Sequence, residues 1–102
     1  MTQKEFFEKV VNIVSNITGV DKNIICSTDR HSTTCCAKLL TIIALHEKGF
    51  LTSQISQYLH TTATTIRYYI GIASARLKQS FAMRKNLQEI RKELDKNYSL
   101  CA

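Results

Sequence analysis

The chain has 102 residues, enough for one domain, and 44% of them are hydrophobic, enough for a modest core. Its formal net charge is +6 and its sequence pI is near 9.3. A small basic domain often binds a polyanion, either nucleic acid or an anionic membrane surface. The N-terminus lacks the apolar core of a signal peptide, and no stretch has the roughly 18 apolar residues of a spanning helix. We therefore expect a cytoplasmic protein with reduced cysteines.

The first half of the chain predicts two main helices. One spans about residues 3–18, where apolar side chains recur at helical spacing before Gly19. Asp21 is a predicted N-cap for a short helical turn. The polar stretch 26–33 is predicted to be a loop. The next segment is apolar nearly all round until Gly49, which is typical of a central, buried helix.

The second half predicts three further helices. Thr52 or Ser53 is expected to cap a short helix that ends at Leu59, and Thr62 is expected to cap a longer one. A last helix over about residues 82–97 places apolar residues inside and five cations outside: Arg84, Lys85, Arg91, Lys92 and Lys96. No segment alternates strictly, so no strand is expected. The whole chain (1–102) is therefore predicted to be a single all-α domain, a compact bundle of about five to six helices.

The charge is concentrated in the C-terminal part of the chain. Residues 67–96 hold eight basic and three acidic residues, whereas residues 1–66 hold six and five. Two roles fit the last helix, packing on the core or forming a dimer seam, so both a monomer and a homodimer remain open. A membrane-surface role is disfavoured, because the helix lacks tryptophan and a wide apolar face.

The stretch LTSQISQYLHTTATTIRYYI predicts a helix-turn-helix over about residues 51–71. The motif needs an apolar anchor and a small neighbour in its first helix, an apolar residue before the turn and two anchors afterwards: Ile55, Ser56, Leu59, Ile66 and Tyr69. His60 occupies a position where many such motifs have glycine, so the turn is expected to differ slightly. A helical hairpin that binds nothing, or one that binds a protein, is the alternative reading.

This motif predicts the residues that contact DNA. If Ile66, Tyr69 and Ile70 face inward, four residues face the major groove: Thr64, Arg67, Tyr68 and Gly71. An arginine there pairs with guanine or phosphate. Threonine hydroxyls and the helix N-terminus attract phosphate, as does a protonated histidine. The predicted contacts are Thr61, Thr62, Thr64, Thr65, Arg67, Tyr68, His60 and Lys78. The alternatives are that the threonines only cap the helix and that His60 is a surface turn residue.

From about residue 6 to 94, the order of features resembles the C-terminal DNA-binding domain of the bacterial replication initiator DnaA. The segments FFEKVVNIVSNITGVDKNII, STDRHSTTCCAKLLTIIALHEK, LTSQISQYL and ATTIRYYIGIASARL are similar to its opening helix, its basic loop and buried helix, and its two reading helices. The resemblance implies a Trp-repressor-like fold. It places Thr64 and Thr65 at the family's signature threonines. The chain departs where the family has arginine, aspartate and histidine: Thr61, Thr62 and Ala63.

The resemblance also bears on the partner. Because the family's arginine and aspartate help to read origin boxes, a different target sequence is expected here. Arg30 lies in the region of the family's basic loop, whose arginine enters the minor groove; alternatively it is solvated and paired with Asp29. No phosphate-binding G-x-x-x-x-G-K-[ST] motif occurs. The predicted function is double-stranded DNA binding, by a fragment or a stand-alone or mobile-element relative. The alternative is a transcriptional regulator or an adaptor for a replication or transcription protein.

Catalytic and metal constellations are weak in this sequence. Cys35 and Cys36 are adjacent, and no C-x-x-C pair is completed. His31 and Cys35 could share a helix face, but no third group orients them as a nucleophile and base. We therefore predict neither an enzyme nor a cofactor or metal site.

Overall fold

The computed structural model describes residues 2–25 and 32–97, and these form six α-helices with no strand among them. The helices are α1 (Gln3–Thr18), α2 (Lys22–Ile25), α3 (Ser32–Glu47), α4 (Thr52–Tyr58), α5 (Ala63–Gln79) and α6 (Phe81–Asn97). The predicted all-α bundle of five to six helices is confirmed. No helix in the described ranges combines the length and the apolar character needed to cross a membrane.

Helix α1 has the bounds that the sequence predicts, and local hydrogen bonds set both of its ends. The hydroxyl of Thr2 accepts from the Glu5 amide at 3.2 Å. Gly19 ends the helix in the left-handed region, with φ 77°, and its amide donates to the carbonyl of Ser15 at 2.8 Å. One face of α1 is buried through Phe6, Phe7, Val10, Val11 and Val14.

Asp21 caps α2 as predicted. Its carboxylate accepts from the amide of Asn23 at 2.8 Å, and its carbonyl accepts from the amides of Ile24 and Ile25. The only buried residue of α2 is Ile25, which anchors this short helix against α3. The cap and this one anchor therefore fix the direction in which the chain leaves α1.

Helix α3 is the centre of the bundle. Every residue from 37 to 45 is buried, and α3 contacts each of the other five helices. The hydroxyl of Thr41 is buried, but it donates to the carbonyl of Ala37 at 2.9 Å, so its hydrogen-bonding capacity is satisfied. The predicted loop over 26–33 is wrong at its end, because α3 already begins at Ser32. Residues 26–31 of that loop lie outside the described ranges.

The start of α4 also differs from the prediction. Thr52 and Ser53 are the first residues of the helix, and the N-cap position is Leu51. The amide of Leu51 donates to the side-chain carbonyl of Gln54 at 2.9 Å. The Gln54 amide group in turn donates to Gln3 at 3.1 Å, which ties α4 to α1. The start of α4 thus uses a glutamine three residues into the helix, which accepts from the N-cap amide, and not the hydroxyl cap that the sequence favoured.

Helix α6 packs on the core through the apolar stripe that its periodicity predicts: Met83, Leu87, Ile90 and Leu94. Its C-terminal half is also held to the end of α3 by ion pairs. Arg91, predicted as an outward cation, forms two hydrogen bonds with Glu47, and Lys48 lies 3.4 Å from Asp95. The hydrogen bonds with Glu47 raise the pKa of Arg91 above its usual value.

The central position of α3 predicts how two leucines differ. Leu45→Ala removes a side chain that is 0% exposed, and we expect it to lower the free energy of unfolding by about 2–5 kcal/mol. Leu51→Ala is the matched control, because its side chain is 64% exposed and its removal is expected to change stability by less than about 0.5 kcal/mol. Urea denaturation followed by circular dichroism measures both. Equal losses from the two variants would contradict this assignment of the core.

Candidate nucleic-acid interface

Helices α4 and α5 pack against each other and against α3. The positions named as motif anchors lie in this contact: Ile55, Ser56, Leu59 and Ile66 are buried, and Tyr69 is half-buried. Ser56 is the small residue, and its hydroxyl donates to the carbonyl of Ser53 at 2.7 Å. The anchors therefore hold the two helices in one fixed arrangement with an outward face on α5.

The turn between α4 and α5 has the backbone that a glycine would give it. His60 has φ 56°, in the left-handed region, so the expectation that the turn differs from the glycine type is wrong. The amide of Thr61 donates to the carbonyl of Ser56 at 2.9 Å, and the amide of His60 faces the carbonyl of Gln57 at 3.4 Å. This pair of bonds is the Schellman arrangement, which ends a helix on one left-handed residue.

Thr62 caps α5, as predicted. Its hydroxyl accepts from the amide of Thr65 at 3.2 Å and lies 2.9 Å from the Thr65 hydroxyl. These two side chains therefore serve the helix start. Thr61 is half-buried, whereas Thr64 is exposed. The amides of Ala63 and Thr64 lie in the first turn, where a helix has no acceptor of its own for them.

The outward face of α5 carries most of the predicted contact residues. Seven exposed positions fall within one side of the helix, and the exposed Arg76 and Gln79 lie outside it. The seven are Thr64, Arg67, Tyr68, Gly71, Ser74, Ala75 and Lys78. Tyr68 is 66% exposed, and its ring centroid lies 6.1 Å from that of Tyr69. At 1.5 Å of rise per residue, Arg67 and Lys78 are about 16 Å apart along the helix. His60 is exposed in the turn just before this face, whereas Arg30 lies outside the described residues.

The charge of this region has a feature that the sequence analysis missed. Residues 48–88 contain no aspartate or glutamate but six cations, so this one segment carries the whole formal net charge of +6. A search for carboxylate-free runs would have found it, whereas counting over fixed windows did not. The run includes all of α4 and α5.

Three cations of this run contact other residues of the protein. Arg84 donates to the carbonyls of Leu77 and Lys78 at 2.8 and 3.0 Å, at the end of α5. Arg76 lies 3.6 Å from the sulfur of Cys36, and Lys48 pairs with Asp95. The other three cations are exposed and have no ion pair with any described residue: Arg67, Lys78 and Lys85. Two of them lie on the outward face of α5.

Within the described ranges, no group of three histidine, cysteine or acidic side chains is arranged to hold a metal ion. The fold and this site define a class: a six-helix bundle that presents one basic, carboxylate-free helix face. A scan against protein-family models found no match to the chain, and neither did searches of curated proteins and of solved structures.

The left-handed residue in the turn predicts an unusual effect of glycine. An L-residue in this conformation costs about 1–2 kcal/mol, part of which glycine recovers, so we expect His60→Gly to stabilise the fold by about 0.5–1 kcal/mol. His46→Gly is the control, since His46 is exposed in the last turn of α3 and glycine disfavours a helix there. Urea midpoints should shift in opposite directions, and a loss of stability in both variants would argue against the left-handed turn.

The cap of α5 predicts different outcomes for two neighbouring threonines. Thr62→Ala removes the hydroxyl that accepts from Thr65 and should destabilise the protein by about 0.5–2 kcal/mol. Thr64→Ala removes an exposed hydroxyl and should leave stability within about 0.5 kcal/mol of the wild type. Thermal unfolding of both variants tests this, and a stable Thr62→Ala protein would show that the cap is not used.

Proposed function

We propose that the chain binds double-stranded DNA, with α4, the turn and α5 acting as a helix-turn-helix and α5 lying in the major groove. The observation that carries this proposal is the exposed face of α5, where Arg67 and Lys78 lie in a segment without a single carboxylate. DNA carries one negative charge per about 1.7 Å of its axis, so such a face is attracted to it over its whole length.

The proposed roles follow from where each side chain lies. Arg67 pairs with a guanine edge or a phosphate, and Tyr68 and Thr64 contact bases beside it. Lys78 holds a phosphate at the far end of the helix. The open amides of the first turn of α5 bind another phosphate, and the exposed His60 in the turn adds to this contact. Thr62 and Thr65 form the start of the helix that positions these groups.

The resemblance to the initiator's DNA-binding domain supports a replication role, in a stand-alone or mobile-element relative or in a fragment of a longer initiator. A transcriptional regulator would use the same face. Because the chain departs from the family's pattern at Thr61, Thr62 and Ala63, we propose a target that differs from the family's origin boxes. The proposed role is recognition of DNA in the cytoplasm, with no catalysis and no cofactor.

A binding selection tests the proposal directly. The protein is titrated against a random duplex pool at 50 and 200 mM salt, conditions we choose because phosphate contacts weaken steeply over about this range, and the bound fraction is sequenced. Enrichment of a motif together with salt-sensitive affinity supports a sequence-preferring reader. Salt-sensitive binding without a motif reduces the function to architectural DNA binding. Absence of binding at low salt rejects the proposal.

Arg67 provides the sharpest variant. We expect Arg67→Ala to weaken binding to the selected duplex by about 1–3 kcal/mol and to relax the preference at one base position. Lys92→Ala is the matched control, because Lys92 is an exposed cation on α6, outside the α5 face. Its loss removes the same charge and should leave both affinity and motif nearly unchanged. Fluorescence anisotropy measures both variants, and equal effects would show that only net charge matters.

A second candidate is a protein-interaction adaptor that uses the same hairpin. The observation in its favour is the exposure of two large apolar side chains, 64% for Leu51 at the N-cap of α4 and 66% for Tyr68 on α5. Such an adaptor would bind a replication or transcription protein with an acidic or apolar surface. It predicts that duplex DNA is not bound even at low salt, which separates it from the first candidate in the same titration.

A further inference from the structure

Gly71 lies in the interior of α5, where the fold gives it no role. Its backbone is helical, since it is not among the residues with positive φ, and its position is exposed. A Cβ atom built at this position would meet no described atom within 4 Å. Glycine inside a helix is less stable than alanine, because it loses more backbone freedom on folding. Gly71 therefore lowers the stability of α5, and no packing contact within the described protein requires a glycine at this position.

The position of Gly71 on α5 points to a partner outside the chain. Gly71 lies midway between Thr64 and Lys78, about 10 Å from each along the helix. Arg67 and Tyr68 come one turn earlier on the same exposed face. The helix surface is thus lowest at the centre of the face, with a cation on either side of that point. A glycine is needed in a helix when another backbone or a ligand approaches closely.

We propose that Gly71 sets the closest approach of α5 to duplex DNA, an inference that rests on the proposed function. With no side chain at this point, the α5 backbone lies directly against the major groove while Arg67 and Lys78 reach outward on either side. The absence of carboxylates from residues 48–88 favours a polyanion as the group that approaches. Gly71 is then a positioning residue: it contributes no hydrogen-bonding group and determines how far the neighbouring side chains enter the groove.

The test measures stability and affinity on the same variants. Gly71→Ala should raise the urea midpoint, because alanine favours the helix, and should weaken binding to the selected duplex by about tenfold or more, because a methyl group must fit into a closed contact. Gly71→Leu should weaken binding further. Asn12→Ala is the control, since Asn12 is exposed on α1, outside the α5 face. This change raises helix propensity without adding bulk and should leave affinity within about twofold of the wild type.

The outcomes separate this inference from the proposed function. A more stable Gly71→Ala protein that binds DNA more weakly supports the inference, because a merely structural role would move both quantities in the same direction. If the wild type binds the duplex and Gly71→Ala binds equally well, the inference falls while the proposed function stands. If Gly71→Ala is less stable than the wild type, glycine serves the fold and the inference also falls. A wild type that binds no duplex overturns both.

Discussion

The burial of α3 on all sides is the constraint on which the rest of the structure depends. Residues 37–45 of α3 are all buried, so no side of this stretch contacts water. Other helices must therefore surround it. Each neighbour supplies one apolar face and keeps a polar one outside, as α1 and α6 do. The α4–α5 pair belongs to the same arrangement, because both of its helices contact α3. The orientation of the outward face of α5 is therefore a consequence of core packing.

The short helix α4 shows how strongly the candidate interface relies on that packing. A helix of seven residues is far below the length that is stable alone in water. It persists because Ile55 and Leu59 are buried, because Gln54 joins it to α1, and because the Schellman bonds end it on His60. Since its contacts come from three sides, α4 offers α5 a fixed support. A helix that binds a partner gains affinity from such support, because its backbone then need not be ordered on binding.

The sequence was sufficient to predict elements whose ends are determined locally. The bounds of α1 and the cap of α5 follow from hydroxyl and glycine positions, and the inner face of α6 follows from its period. The sequence did not predict features that depend on contacts between residues far apart in the chain. The N-cap of α4 depends on a glutamine that also reaches α1, and the pairing of Arg91 depends on the end of α3. For the site, the sequence placed Arg67 and Lys78 among the exposed contact residues. The contacts of Arg76 with Cys36 and of Arg84 with the end of α5 required the three-dimensional structure.

The two faces of α5 are under different physical constraints. The inner face holds Ile66 and Ala73, both fully buried, and tolerates little change. The outer face is exposed, so most substitutions there change the stability of the fold little. Thr62 is the instructive position: the resemblance places it where the family has aspartate, and both residues are good N-caps. Thr62 thus keeps the start of α5, and the run 48–88 has no carboxylate where an aspartate would place one, close to the phosphates that we propose this helix binds.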